Sequence, residues 1–246
     1  MQWIRGEIVG RKVWTDGLFT LSIQAPGVQS FEPGQFLQLG MDQPEKHLHR
    51  PYSVASPHGD ILEFFIVLVE EGHLTPKLWA MREGDAIDVS AKAAGSFTLS
   101  HVPSNQCLWL IATGTGLAPY VAMLREGSLW NKFQKVVVVH GVRHARDLAY
   151  QDEFDQYHRE KGDAFCYIPA VSRETIANGI SGRITTALAN GELAQRGGVP
   201  ITKDTSTFML CGNPDMLDEM ENTLVEAGLH RHKAKNPGQI VVERYW

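Results

Sequence analysis

Cysteine is scarce in this chain. Only Cys107, Cys166 and Cys211 occur, an odd number at wide spacing, so no disulfide framework is expected. Three thiols are also too few to supply the four thiolates of an iron–sulfur cluster. Long apolar runs are missing as well. Runs such as Phe64–Val69 and Val136–Val139 fall far short of the roughly 20 residues that a membrane-spanning helix needs. Met1–Glu7 contains no basic stretch followed by an apolar run, so neither a secretory signal nor a membrane is expected, and the expected compartment is the cytoplasm. There is no excess of positive charge. The formal net charge of -5 argues against nucleic acid as a partner. Neither G-x-S-x-G nor H-E-x-x-H occurs, which removes the hydrolases built on those motifs. The alternating histidines His47/His49 and His230/His232 have no cysteine or carboxylate beside them in a ligand pattern, so no metal is expected.

What is present is an ordinary globular composition, 43% hydrophobic and 21% charged over 246 residues, enough for two modest domains. The first hundred residues read as short strands near Trp3–Val9, Leu18–Gln24, Gln35–Gly40, Tyr52–Ala55, Leu62–Val69 and Ala86–Ser90. Turns such as Glu32-Pro33-Gly34 and Glu83-Gly84-Asp85 separate them, the pattern of a β-barrel or sandwich. One short helix is expected near Thr75–Met81, with Thr75 as its cap and Pro76 at the first helical position. After residue 102 apolar strands alternate with amphipathic helices: Cys107–Ala112 with Ala118–Glu126, Lys135–His140 with Tyr150–Lys161, Ala164–Val171 with Ile184–Asn190, and Ser206–Leu210 with Pro214–Ala227. That alternation predicts a parallel sheet wrapped by helices. The expected division is therefore 1–101, an antiparallel β-barrel, and 102–246, a parallel-sheet α/β domain.

Several segments carry chemistry. Arg50-Pro51-Tyr52-Ser53, expected at the start of a strand, combines a donor fork for phosphate, a flat ring for stacking and a small hydroxyl. Together these could hold a flavin nucleotide, or they could be a surface arginine beside a strand tyrosine. The helix opening at Thr75-Pro76 offers free N–H groups to a phosphate, or is an ordinary capped helix. Gly114-Thr115-Gly116-Leu117-Ala118-Pro119 sits between a strand and a helix, the position of a nucleotide-binding turn, although the third glycine of G-x-G-x-x-G is absent. Ser172-Arg173 at the end of a strand, with Arg183 following, suits the 2′-phosphate of NADP, where an acid would suit NAD. Glu174 is next in line. Cys211-Gly212-Asn213-Pro214-Asp215 ends a strand and caps a helix, so its thiol could lie against a nicotinamide ring or simply be packed. The ending Glu243-Arg244-Tyr245-Trp246 reads as docked, and its indole suits stacking on an adenine or flavin.

In this order the segments resemble the ferredoxin–NADP⁺ reductase family, most nearly its bacterial branch, over essentially the whole chain. The motifs that carry the resemblance are Arg50–Ser53, Gly114–Pro119, His140-Gly141-Val142-Arg143, Ser172-Arg173, Cys211–Met216 and Glu243–Trp246. The resemblance implies an N-terminal FAD-binding barrel and a C-terminal NADP-binding domain whose tail returns to the FAD. It implies non-covalent FAD on Arg50, Pro51, Tyr52, Ser53, Phe65, Ile66, Val67, His73, Leu74, Thr75, Thr115 and Trp246. It implies NADP(H) on Arg143, Ser172, Arg173, Arg183, Cys211, Gly212, Asn213, Pro214 and Asp215. Catalytic parts fall to Ser53, Cys211 and Glu243. The implied activity is hydride transfer between NADP(H) and FAD, with single electrons exchanged with ferredoxin or flavodoxin by a monomer. A flavin or ferric reductase, the reductase component of an oxygenase, and a non-enzymatic FAD-binding docking module are the alternatives. His230–Lys235, the densest basic run, is the candidate dock for an acidic partner.

Overall fold

The computed structural model describes residues 1–44 and 46–244. Its contacts divide into two compact units: Met1–Leu99 with Ala118–Glu126, and Ser100–Leu117 with Gly127–Trp246. No helix among the described residues is long and apolar enough to cross a membrane.

The first unit is a six-stranded antiparallel sheet: β1 (Trp3–Thr15), β2 (Leu18–Gln24), β3 (Phe36–Asp42), β4 (His47–Ser53), β5 (Ile61–Val67) and β6 (Ala86–Ser90), in the order β4-β3-β6-β1-β2-β5. A bridge between Val54 and Phe64 joins its two ends, which rolls the sheet into a barrel and removes most of its exposed edge. β1 has register shifts at Ile8/Gly10 and Val13/Thr15, and such bulges let a long strand bend around the barrel. Leu62, Phe64 and Ile66 of β5 meet Phe19, Leu21 and Ile23 of β2 in the core. Burying each of these side chains contributes roughly 1.5–3 kcal/mol. Gly34 closes the Pro33-Gly34 turn at φ +101°, where a Cβ would also strike the Phe97 carbonyl.

Two helices belong to this unit. α1 (Thr75–Ala80) sets Trp79 edge-on to Phe19, with the Arg11 guanidinium 4.6 Å above the Trp79 ring. α2 (Ala118–Glu126) is tied to the barrel by Arg125, which donates to the Ala55 carbonyl at 3.1 Å and to Glu63 Oε2 at 2.8 Å.

The second unit is an all-parallel sheet: β7 (Cys107–Thr113), β8 (Lys135–Val142), β9 (Phe165–Val171), β10 (Ile180–Ser181), β11 (Ser206–Gly212) and β12 (Ile240–Arg244), in the order β10-β9-β8-β7-β11-β12. Its helices are α3 (Leu129–Lys132), α4 (Gln151–Lys161), α5 (Ile184–Ala189), α6 (Glu192–Gly197) and α7 (Pro214–Glu226). Val136–Val139 are all fully buried, as a strand covered on both faces requires. Trp109 stacks on Phe208 and donates from Nε1 to Ser206 Oγ at 3.1 Å. Strand order runs outward from β7 in both directions, so the topology reverses between β7 and β11. In open parallel sheets the crevice at the carboxyl ends of such strands is where ligands bind.

Two local expectations fail. Arg50–Ser53 ends β4 rather than starting a strand. The stretch His47-Leu48-His49 lacks a clear apolar alternation, and Pro51 is tolerated because β4 is the terminal strand of the sheet order. Thr75 does not cap α1: Leu74 is the N-cap residue and makes no side-chain cap bond. The Thr75 hydroxyl instead closes the preceding loop, accepting from Val69 N at 3.0 Å and donating to Val69 O at 3.1 Å.

Candidate nucleotide-binding site

The carboxyl ends of β7 and β11 interlock. After β7 comes the turn Gly114–Leu117, with Gly114 at φ +53°. A Cβ on Gly116 would lie 2.6 Å from the Cys211 carbonyl oxygen, so only glycine lets this turn sit against β11. Gly212, at φ +136°, is equally confined by Thr113, whose Oγ1 accepts from Asn213 N at 2.7 Å. Asn213 Oδ1 then caps α7 by accepting from Met216 N at 3.1 Å, with Pro214 in the first turn. From β8, fully buried His140 meets the Gly114 carbonyl at 3.1 Å through Nε2. Burial lowers the His140 pKa to about 4. Thr115 is half-buried in the turn, and the Cys211 side chain is buried. Glu243 on β12 is the register partner of Cys211. One of its carboxylate oxygens is buried with no hydrogen-bond partner among the described residues, and burial pushes its pKa up to about 7.

Farther along the same sheet edge lies a row of cations. Arg143 follows β8, Ser172 and Arg173 follow β9, and Arg183 follows β10. The ladder extends past the strand ends to hold them in line: Ser172 N donates to Val142 O and Arg173 N to Arg143 O at 3.0 Å, and Gly182 N to Val171 O at 2.8 Å. All three arginines are exposed. The nearest acid in sequence is already engaged, because Glu174 accepts from His144 Nδ1 at 2.6 Å and from Ala145 N at 3.0 Å. Those bonds hold its carboxyl below the usual range. Asp215 is exposed in the first turn of α7.

The flavin candidates of the first unit are spread over β4, β5 and the loop before α1. Arg50 is exposed and donates to the His49 carbonyl at 2.8 Å, next to exposed Pro51. Tyr52 is half-buried, and burial pushes its hydroxyl up to about 12 despite Arg50 nearby. Ser53 is buried. Phe65, Ile66 and Leu74 have buried side chains, so only their main chain is open to a ligand. Val67 and Val69 are 42% and 52% exposed, an apolar strip leading to exposed His73. Trp246, expected on the FAD, lies outside the described residues.

Sequence reasoning gave no role to His140 or Thr113. A lone polar side chain closing an unbroken valine run was the available signal for His140. It also misjudged two sets of partners. His47 does have carboxylates: Asp42 Oδ1 lies 2.9 Å and Asp88 Oδ2 3.8 Å from its Nδ1, supplied by β3 and β6, and Arg5 already pairs with Asp88. In the basic run, Arg231 is neutralised by Glu221 at 3.0 Å. Lys233 and Lys235 stay exposed in a tight turn closed between Lys233 and Asn236.

A glycine turn at the reversal point of a parallel sheet, with arginines where an acid would read a ribose, is the arrangement of a pyridine-nucleotide oxidoreductase. Residues 110–222 match the model of the oxidoreductase NAD-binding domain. The flavodoxin/ferredoxin–NADP reductase of Escherichia coli K12 is 38% identical over 246 residues, covering 99% of each chain. The ferredoxin–NADP reductase of Azotobacter vinelandii is 36% identical over 242 residues, covering 94% of this chain and 93% of the other. A solved ferredoxin NADP⁺ reductase of Neisseria gonorrhoeae with bound FAD and NADP superposes with a TM-score of 0.95 at 29% identity, covering both chains fully. This chain belongs to the flavodoxin/ferredoxin–NADP reductase family.

Proposed function

We propose that this protein holds FAD on its first unit and NADP(H) on its second, and passes electrons between NADP(H) and a flavodoxin or ferredoxin. The observation that carries the reading is the row Arg143, Ser172, Arg173 and Arg183, whose three guanidinium groups make no ion pair or hydrogen bond among the described residues. Three exposed guanidinium groups beside a hydroxyl fit a 2′-phosphate and lack the acid that a ribose diol would want. Gly116 and Gly212, where no Cβ fits, let the ends of β7 and β11 pack together, and Gly114, with open space at its Cβ position, leaves main chain open to a ligand at the sheet reversal. The relatives are named for flavodoxin, ferredoxin and NADP, and the Neisseria structure holds both nucleotides.

Bound FAD supplies hydride acceptance and single-electron release. The chain supplies placement. Arg50 takes phosphate charge, Tyr52 offers its ring face, and Ser53 offers a small hydroxyl to the flavin edge. Val67 and the main chain of Phe65, Ile66, His73, Leu74 and Thr75 line the rest of the nucleotide. Cys211, Gly212, Asn213, Pro214 and Asp215 form the nicotinamide side. Glu243, beside Cys211 in register, holds a proton near neutral pH. Lys233 and Lys235 supply local positive charge for an acidic carrier on a chain that is net negative.

The test is direct: reduce the FAD-loaded protein with NADPH and with NADH, then offer flavodoxin, ferredoxin and a free flavin as acceptors. Preference for NADPH and for the protein carriers supports the reading. Equal use of free flavin makes the protein a flavin reductase.

A further inference from the structure

His140 is fully buried at the end of an all-valine stretch of β8, a place where packing calls for an apolar side chain. Its Nε2 meets the Gly114 carbonyl at 3.1 Å. A carbonyl only accepts, so Nε2 carries the hydrogen and Nδ1 is left as an acceptor. Nδ1 is buried and has no partner among the described residues. An unmade hydrogen bond at a buried atom costs at least as much as the bond at Nε2 returns, so the imidazole gains the core little over an apolar ring.

What the imidazole does hold is the turn. Gly114 has open space where a Cβ would stand, so no side-chain packing fixes that end. Gly116, at the other end, is pressed against the Cys211 main chain. Thr115 therefore sits between the His140 hydrogen bond at Gly114 and the close approach of Gly116 to Cys211. The second strand end is tied in through Thr113 Oγ1 and Asn213 N at 2.7 Å.

We propose that His140 is a positioning residue for hydride transfer: through the Gly114 carbonyl it fixes the turn that presents Thr115 beside Cys211 at the nicotinamide end of the site. The proposal rests on the reading of the second unit as the NADP-binding unit. Of the proposed 2′-phosphate residues, Ser172, Arg173 and Arg183 follow β9 and β10, two and three strands from β7 in the sheet order, and Arg143 lies beyond the end of β8, so His140 governs the rate of transfer and leaves NADP(H) affinity in place.

The test uses the FAD-loaded protein and three variants. His140→Phe keeps a ring and removes the donor. His140→Gln puts an amide N–H at the reach of Nε2, and His140→Asn stops at the reach of Nδ1. NADP⁺ binding is measured by titration, and hydride transfer by stopped-flow flavin reduction with NADPH and with NADPH deuterated at the transferred position. Displacing reacting groups by about an ångström costs up to about 100-fold in rate. His140→Phe and His140→Asn should therefore lose about 10- to 100-fold in transfer rate, with a larger isotope effect on turnover, and keep NADP⁺ affinity within about twofold. His140→Gln should recover most of the rate. Where His140→Phe fails to fold, the Gln/Asn pair decides alone, since both bury an amide and only one reaches Gly114. Parent-like transfer in His140→Phe or His140→Asn overturns the proposal, and so does equal loss in Gln and Asn, or loss of affinity in step with rate. A parent that binds no NADP⁺ instead overturns the reading beneath it.

Discussion

Glu243→Gln tests the electrostatics of the site through stability. In the folded protein Glu243 is half-buried in register with Cys211, with one buried carboxylate oxygen that has no partner among the described residues. Burial raises its pKa from 4.5 to about 7. The folded state therefore keeps a proton that the unfolded chain has released, and stability contributed by this group is fully present below pH 4.5 and lost as pH rises to about 7. At about 1.4 kcal/mol per pKa unit, the loss amounts to about 3 kcal/mol at most by pH 8, less for whatever water reaches the carboxyl. Glutamine is neutral at every pH and removes this loss. The assay is urea unfolding of the FAD-loaded protein and of Glu243→Gln at pH 5 and pH 8, followed by a probe of the second unit. At pH 5 the variant should be the more stable by less than about 1 kcal/mol. At pH 8 the variant should be the more stable, by about 1 M in urea midpoint. Parallel pH dependence of the two proteins, or a variant less stable at pH 8, would refute the reasoning.

Arg173→Ala should lower kcat/KM for NADPH by about 10- to 100-fold, because a hydrogen bond to a charged group contributes about 1.5–3 kcal/mol, and should leave NADH nearly unchanged. Arg173→Glu should invert the preference, by repelling the phosphate and accepting from a ribose hydroxyl, and steady-state kinetics with both nucleotides checks the pair. Lys233→Glu with Lys235→Glu should slow reduction of an acidic carrier at low salt, converge on the parent at high salt, and spare a small artificial acceptor. Arg231→Glu should instead cost stability, measured by thermal unfolding, because it sets two acids together where Glu221 now holds Arg231.

Period and punctuation make the strands around Phe64 and Val137, and the α7 start at Asn213-Pro214, legible in the sequence alone. The domain type is legible too, since each rests on local pattern. What escapes depends on partners distant in sequence. β4 hides behind polar His47 and His49, and the carboxylates facing His47 come from other strands. Thr75 looks like a cap and is captured by Val69. Glu174 reads as a free acid until His144 and Ala145, 30 and 29 residues earlier, are seen to hold it. His140 takes its meaning from a carbonyl 26 residues away. β10 and α6 are short and add little periodicity. The candidate residues on β5 are legible as a strand, but which of them face outward follows only from the closure of the barrel.

The central claim, an FAD-carrying oxidoreductase selective for NADP(H), is tested most directly by anaerobic reduction of the purified protein. The account predicts a yellow protein with releasable FAD, rapid loss of flavin absorbance with NADPH, far slower loss with NADH at the same concentration, and recovery of the absorbance when oxidised flavodoxin or ferredoxin is added. A colourless protein that takes up no FAD, or one reduced as fast by NADH as by NADPH, would contradict it.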